Sequence, residues 1–443
     1  MEMISPNTFK ENNKNKNYDE LLKTKSELKE KIKALEEQLN NFSSSIHSKE
    51  DLQLMIDMNK SYLVEIDNLL NLYLDKVKGC LIGGAIGDAL GYPIEFIRSV
   101  DSIKNIYGEN GITRYKLTDG KAIISDDTQM TLFTANGLIW GNTRYNLRGI
   151  APTPVDCIYL AYQDWYQTQL SNYAKDKEKN KISWIADLPE LNVERAPGIT
   201  CLNALSGTEK GTLDKKINDS KGCGGIMRVA PIGLFFSNDN SHKIGKFGAE
   251  AAALTHSHPL GIIPAYVFSV LINTLTYKNK SLEEAVNYSL EVFKDNFKDY
   301  NKKESKIFLD LINKAIYLSK KDLDDINAIY ELGQGWIAEE ALAIAIYSCL
   351  KYPDNFEKAI VCSVNHDGDS DSTGSIAGNI MGALLGLKNI PEYYINDLEL
   401  KDVILELAED LFVDCPVSEY GTNNDEYWLS KYLYCKRDLT KKK

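Results

Sequence analysis

Glycine recurs at every fourth residue in two separate stretches of this chain, at Gly79, Gly83, Gly87 and Gly91 and again at Gly374, Gly378, Gly382 and Gly386. Residues four apart share one face of an α-helix, so each stretch forms a groove without side chains. A glycine in a helix interior costs about 1 kcal/mol relative to alanine, and eight of them need compensation. Close approach of two helix backbones at the centre of a bundle is the source the spacing predicts. Acidic residues border both grooves: Asp88 lies within the first, and several aspartates immediately precede the second.

The remainder of the sequence agrees with a helical architecture. Helical periodicity predicts helices over 79–91, 127–140, 155–170, 245–256, 260–276, 281–296, 303–319, 338–351, 356–364, 372–387 and 397–412. Alternating β-branched strands are scarce. The loops over 172–197 and 206–222 are long and polar, as loops that form sites often are. Before residue 79 glycine is absent, and Lys, Glu, Asn and Leu dominate. There Leu21, Lys25, Leu28, Ile32, Leu35, Leu39, Phe42 and Ile46 follow a four-three spacing, which is an a/d seam. Ser43–Ser45 interrupt it, and Ser48 with Asp51 reads as a capping-box start. A second seam follows through Leu52, Ile56, Asn59, Leu63, Ile66, Leu70, Tyr73 and Val77. The expectation is an all-α chain: an N-terminal helical hairpin or coiled coil over 1–78, then one large helical domain over 79–443.

Charge and cysteine usage narrow the class of function. The 443 residues carry a net charge of −12, of which residues 1–78, with 12 basic and 14 acidic side chains, hold only −2. Such an acidic surface argues against general nucleic-acid binding, which needs a basic face. It suits a protein that gathers carboxylates around cations. The eight cysteines contain no CxxC pair, which argues against zinc and for reduced thiols in a cytoplasmic compartment. No cysteine is read as lying beside a charged partner. No signal-like start is present, and the apolar run Cys80–Gly87 is cut by Asp88 well short of a membrane span.

Three acidic clusters stand in glycine-rich or apolar context: Gly87-Asp88 with Glu95, Ser125-Asp126-Asp127-Thr128, and Asp367-Gly368-Asp369-Ser370-Asp371-Ser372-Thr373. The last two directly precede predicted helices. Ser and Asp are good N-caps, and the helix dipole favours carboxylates there. Capping uses one or two oxygens, however, and these clusters offer many more. Buried carboxylates without partners repel one another, and a divalent cation relieves the repulsion. An all-oxygen donor set favours Mg²⁺, with Mn²⁺ or Ca²⁺ as alternatives. An EF-hand does not fit, because Ser372 stands where its loop needs glycine and Gly378 where it needs glutamate.

The ordered set GDALGYPIEF, SDDTQM and GDSDSTGSIAGN resembles the ADP-ribosylglycohydrolase family, which includes dinitrogenase-reductase-activating glycohydrolases and ADP-ribosylarginine and ADP-ribosylserine hydrolases. The stretches ERAPGITCLNAL, KGCGGIMRVAPIGL, ALTHSHPLG and GQGWIAEEALAIAIY extend the resemblance over about 79–412. It implies an orthogonal helical bundle with two Mg²⁺ ions in a cleft, Mn²⁺ being a substitute. Ser125, Asp126 and Asp127 would be ligands from one helix start, and Asp369, Asp371 and Ser372 from the other. Glu95 matches an acidic residue on a mobile loop over the metals. Gly198, Gly224, Gly225 and His256 would line the ADP-ribose groove, with the glycine cluster at the diphosphate. Arg228 is read as pairing either with phosphate or within a buried ion pair.

The activity implied is hydrolysis of the bond between ADP-ribose and a protein acceptor, with arginine the acceptor of choice. Asp127 or Asp369 would handle the proton of the attacking water, and Glu95 would gate the site or shuttle a proton. Some bacterial members carry an N-terminal extension and act as immunity proteins against ADP-ribosyltransferase toxins. Residues 1–78 are therefore expected either to bind such a toxin or to pair among themselves. The partner implied in either case is an ADP-ribosylated protein substrate, with no membrane.

Overall fold

The computed structural model describes residues 4–42, 48–170, 181–237, 239–413, 415–421 and 425–442. Ser43–Ser45 and Ile46, which interrupt and end the first seam, lie outside the described residues, as does 171–180 of the first long loop. The chain divides into two compact units, Met1–Asp75 with Tyr277–Asn279, and Lys76–Thr276 with Lys280–Lys443.

The first unit holds α1 (Pro6–Asn13), α2 (Tyr18–Asn40) and the early part of α3 (Lys49–Gly91). Asn17 and Glu20 close a capping box on α2. At the α3 entry the N–H of Asp51 donates to Ser48 Oγ (3.0 Å) and that of Ser48 to Asp51 Oδ2 (3.1 Å). Leu21, Leu28 and Ile32 of the first seam are buried, as are Leu52, Ile56, Asn59, Ile66, Leu70 and Tyr73 of the second. Lys25 pairs with Asp67 (2.8 Å) and Lys60 with Glu36 (2.9 Å), so the earlier α2 residue meets the later residue of this part of α3 and the later one meets the earlier. That order is antiparallel, which is the hairpin arrangement. Phe9 of α1 stacks on Tyr62 at 4.3 Å, and the Tyr62 hydroxyl donates to the Ile4 carbonyl. The α1 helix was not expected, since two turns are too short to show a periodicity. Nor does a helix end at residue 78: α3 runs through 43 residues without interruption.

The second unit continues with α4 (Val100–Tyr107), α5 (Asp126–Arg148), α6 (Pro154–Thr168), α7 (Ile199–Ser206), α8 (Ala230–Phe235) and α9 (Ser241–Ala253). Then come α10 (Pro259–Tyr277), α11 (Leu282–Asn296), α12 (Lys302–Ser319), α13 (Asp325–Leu332), α14 (Ala338–Lys351) and α15 (Phe356–Val364). The chain closes with α16 (Ser370–Leu385), α17 (Glu392–Asn396), α18 (Lys401–Phe412) and α19 (Glu426–Tyr432). Among the described residues the sole sheet pairs Leu117–Thr118 with Lys121–Ala122. The expected helix over 397–412 is shortened at its start, because Leu400 takes a left-handed conformation (φ 55°) before α18. The longest uncharged apolar element is α10 rather than the run at Cys80–Gly87. It is long and apolar enough to cross a membrane, and it is wholly buried in the core. None of the eight cysteines is in a disulfide.

The glycine grooves meet each other. A Cβ placed at Gly83 would fall on the carbonyl of Gly378, one at Gly87 on that of Gly374, and one at Gly79 on that of Gly382. The reverse also holds at Gly374, Gly378 and Gly382, so the late part of α3 and α16 lie antiparallel with backbones in contact. Gly91 meets the carbonyl of Ser370 instead of a glycine. Gly386 closes the groove, its backbone 2.7 Å from a Cβ placed at Gly79. It ends α16 with φ 79°, a conformation glycine adopts without strain.

On a free helix, Gly→Ala gains about 1 kcal/mol. At this contact the added methyl meets backbone that cannot move aside. Gly83→Ala and Gly378→Ala are therefore each expected to lose about 1–3 kcal/mol in urea unfolding. The double variant should lose less than the sum of the two, since both methyls compete for one site.

Candidate active site

The contact between α3 and α16 brings three chain segments together. Just after the last α3 glycine, a 3₁₀ turn at Tyr92–Ile94 leads to Glu95. The start of α16 carries Asp369 and Asp371, and the start of α5 carries Asp126 and Asp127. Ser125 caps α5, its Oγ accepting the Asp127 N–H at 3.2 Å. Asp369 caps α16, accepting the Ser372 N–H at 3.4 Å. Both caps were legible in the sequence.

Asp88, which the sequence reading left without a role, ties α3 to the start of α5. It is fully buried in α3. Its carboxylate accepts the N–H of Ser125 at 3.0 and 3.1 Å, the N–H of Thr128 at 3.1 Å and the Thr128 hydroxyl. One carboxylate thus holds the first turn of α5. Its position between Gly87 and Ala89, in the middle of a groove that touches another backbone, was the signal available. Asp126 is held from a different side: its N–H donates to Arg195 O (3.0 Å), and its Oδ2 accepts the Gly198 N–H (3.1 Å).

Six carboxylates, Asp88, Glu95, Asp126, Asp127, Asp369 and Asp371, are buried here, the most exposed being Glu95 at 7%. Among the described residues none of the six has a Lys or Arg within ion-pair distance. Burial foremost, and then the neighbouring carboxylates with Asp371 prominent, push these groups above the usual carboxylate range. Asp88 is pushed up to about 7 and Glu95 to about 10, while Asp126, Asp127 and Asp369 are raised strongly. Oxygens of Glu95, Asp369 and Asp371 lie within 4.8 Å of one another. Glu95 Oε2 and Asp127 Oδ2 are buried without a hydrogen-bond partner. Unpartnered carboxylate oxygens that converge, with no cation from the protein, are a donor set suited to a hard divalent ion.

The loop carrying Glu95 is held from above. Phe96 stacks on Trp336 (6.3 Å), and the Arg98 guanidinium lies 4.9 Å from the same ring. Trp336 therefore packs on this loop. Its carbonyl also accepts the N–H of Cys223 (3.2 Å), which ties it to the glycine turn at Cys223–Gly225. Side chains in that turn would be tightly crowded. A Cβ at Gly224 would stand 3.0 Å from Cys201 Sγ and 3.1 Å from the His256 ring, and one at Gly225 3.3 Å from Ala252 Cβ. Gly224, Gly225 and His256 are thus together, while Gly198 reaches the carboxylates through its N–H.

Two expectations are corrected. Cys223 does lie beside a charge, its thiol 2.7 Å from Asp369 Oδ2, and no CxxC spacing announces a contact made 146 residues away. Arg228 neither faces outward toward a phosphate nor pairs with a carboxylate. It is fully buried against Tyr162, 4.2 Å from the ring; its Nη groups go to neutral partners and its Nε has none. Of the two helix-start glutamates of α14, Glu340 accepts the N–H groups of Gln334 and Gly335, and Glu339 pairs with Lys221 at 2.8 Å.

The family model for ADP-ribosylglycohydrolases matches residues 70–420. The chain belongs to the ADP-ribosylglycohydrolase family. It is thereby a glycohydrolase enzyme of a generally metal-dependent family whose members act on ADP-ribosylated proteins. The chain is 25% identical over 340 residues to an uncharacterized protein of Archaeoglobus fulgidus, covering 76% of this chain and 96% of that one. It is 25% identical over 396 residues to ADP-ribosylhydrolase ARH1 of Dictyostelium discoideum, covering 76% and 93%. It is also 26% identical over 354 residues to ADP-ribosylarginine hydrolase Tri1 of Serratia proteamaculans, covering 78% and 81%. The family match begins inside α3, consistent with that helix being one element.

Glu95 gives the site a pH signature in chelator. Its folded value, about 10, lies above its ordinary 4.5, so between these limits the native state keeps a proton that the unfolded chain has lost. Stability from this group is present at low pH and disappears as pH rises. Between about pH 7 and about pH 9, above the range of unfolded histidines, the chelated protein should lose up to about 1.4 kcal/mol per pH unit from it. Melting curves of Glu95→Gln should show a shallower decline, and a saturating divalent cation should remove most of it.

Proposed function

We propose that this enzyme hydrolyses the N-glycosidic bond joining ADP-ribose to an arginine side chain of a modified protein, with Mg²⁺ as its metal. The observation that carries this reading is the gathering of six buried carboxylates without a counter-charge, four of them at two helix starts, beside a glycine turn. Ser125, Asp126 and Asp127 at the α5 start and Asp369, Asp371 and Ser372 at the α16 start would hold two ions, for which Mn²⁺ can substitute. When bound, such ions supply positive charge that orients ribose hydroxyls and lowers the pKa of water. Residues 79–443 form the catalytic part in this reading, and residues 1–78 the extension.

The chain's own groups supply the rest. As the glycosidic bond breaks, C1″ of the ribose becomes oxocarbenium-like, and buried carboxylates stabilise that charge. Asp127 Oδ2, which has no hydrogen-bond partner, or Asp369 takes the proton of the attacking water. Glu95, on the loop packed under Trp336, gates the cleft or hands a proton to the leaving guanidine. The N–H groups of the Gly224–Gly225 turn face the diphosphate, with Gly198 and His256 alongside. The choice of arginine is supported by the name of the Serratia relative, ADP-ribosylarginine hydrolase. Eight cysteines without a disulfide fit a reducing cytoplasm.

A second role, the blocking of an ADP-ribosyltransferase toxin by residues 1–78, is favoured by one feature. Leu54, Val64 and Leu72 of α3 stand at least half exposed, an apolar face offered to a partner. Leu54→Lys with Leu72→Lys should then remove toxin binding and leave hydrolysis unchanged.

The decisive assay incubates the full chain and Mg²⁺ with arginine-linked and, separately, serine-linked ADP-ribose. Release from the arginine conjugate is expected, and the double variant Asp126→Ala, Asp127→Ala should lose about a hundredfold or more of the rate. Release from the serine conjugate alone would move the acceptor. Full activity in the double variant would overturn the site.

A further inference from the structure

A fully buried guanidinium with no carboxylate partner is costly, so what Arg228 does with its charge needs a reason. Its Nη1 points at Met130 Sδ (3.4 Å) and Cys201 Sγ (3.5 Å). Its Nη2 donates to Ala251 O (3.3 Å) and to Thr255 Oγ1 (2.6 Å). Thr255 Oγ1 in turn lies 2.8 Å from His256 Nδ1. Guanidinium can only donate, so the threonine oxygen is an acceptor toward Arg228 and still has its own proton to place. Cys201 Sγ is one neighbour that can take it, and it is a weak acceptor. The imidazole nitrogen is the stronger one. The chain of donors therefore runs Arg228 to Thr255 to His256 Nδ1, which leaves Nδ1 without a proton.

We propose that Arg228 and Thr255 are positioning residues that fix His256 in its Nε2–H tautomer and thereby aim a neutral donor at the glycine turn. Nε2 faces that turn: a Cβ at Gly222 or at Gly224 would lie 3.4 Å from it. Burial, and then the charge of Arg228, push His256 down to about 3, so the ring carries a single proton and its placement decides whether it donates or accepts toward a ligand. An anion on the turn is rewarded by a donor and repelled by a bare nitrogen. A hydroxyl alone could turn either way. The guanidinium removes that freedom, which a neutral residue in its place would not. The ligand part of this inference rests on the ADP-ribose reading above.

The test uses the full chain labelled with ¹⁵N-histidine. Long-range ¹H–¹⁵N spectra report which imidazole nitrogen is protonated, and His256→Gln identifies the signal among the five histidines. The wild type should show Nδ1 bare and Nε2 protonated. Thr255→Val should shift the signal toward a mixture, and Thr255→Ser should restore it. In calorimetry with free ADP-ribose, Thr255→Val should bind about tenfold more weakly, with Thr255→Ser close to wild type. A protonated Nδ1 in the wild type, or an unchanged spectrum in Thr255→Val, overturns the proposal. The wild-type spectrum alone decides the tautomer should Thr255→Val not fold. A wild type with the expected tautomer that does not bind ADP-ribose overturns the ligand reading and leaves the positioning chain standing.

Discussion

The backbone contact between α3 and α16 sets the geometry from which the site follows. Helix axes normally stand 8–10 Å apart because side chains separate them. Here the missing side chains let the carbonyls of Gly79, Gly83 and Gly87 rest on Gly382, Gly378 and Gly374. The contact is antiparallel, so the C-terminal end of one glycine helix lies beside the N-terminal end of the other. Asp88 and Glu95 leave the first where Asp369 and Asp371 enter the second. A register shift of one turn would move Asp88 by about 5 Å relative to α16, out of reach of the α5 turn it now holds. Packing density and active-site placement are one constraint at this contact.

That placement has an electrostatic consequence the fold alone cannot satisfy. Two helix N-termini, at α5 and α16, offer partial positive charge, equivalent to roughly half an elementary charge each. Six buried carboxylates exceed this several-fold. Hydrogen bonds account for part of the set: Asp88 accepts two N–H groups and a hydroxyl, and Asp126 one N–H. Glu95 Oε2 and Asp127 Oδ2 take none. The carboxylates thus divide into those the protein satisfies, which hold helices in place, and those it leaves open. Asp88 belongs to the first kind and Glu95 to the second, although both lie in one short sequence motif.

Sequence patterns revealed what depends on spacing along one chain segment. The glycine period, the two a/d seams, the Ser125 and Asp369 caps and most long helices could be read because each follows from residues a few positions apart. Short helices such as α1, α7 and α8 carry too few turns for a period to show. The continuity of α3 was hidden by a real change in composition near residue 79: the early part reads as a seam and the late part as a groove, yet both are helical. Contacts between distant segments were beyond reach in principle. The Cys223 thiol meets Asp369, and the Asp88 carboxylate meets Ser125, only because three helix ends converge. Arg228 shows the limit most clearly. A lone arginine after a glycine cluster suggests a phosphate ligand, and no local pattern tells that its guanidinium is sealed beneath a hydroxyl and an imidazole.

An acidic protein that takes up an acidic ligand must solve a problem of sign. With a net charge of −12 and a carboxylate cluster at hand, a diphosphate is repelled at long range. Surface lysines around the turn would draw in anions of every kind. The arrangement around Gly222–Gly225 avoids this. In the proposed reading its donors are backbone N–H groups and a neutral histidine, which act only at hydrogen-bond distance; of the two full positive charges beside the turn, Arg228 is sealed from solvent and Lys221 is paired with Glu339. Neutral donors lose little in desolvation when an anion replaces water, whereas an exposed guanidinium or ammonium would lose more. On that reading, selectivity for an anion of the right shape comes from geometry at the turn, and the net negative charge that argued against nucleic acid at the start is what turns other anions away.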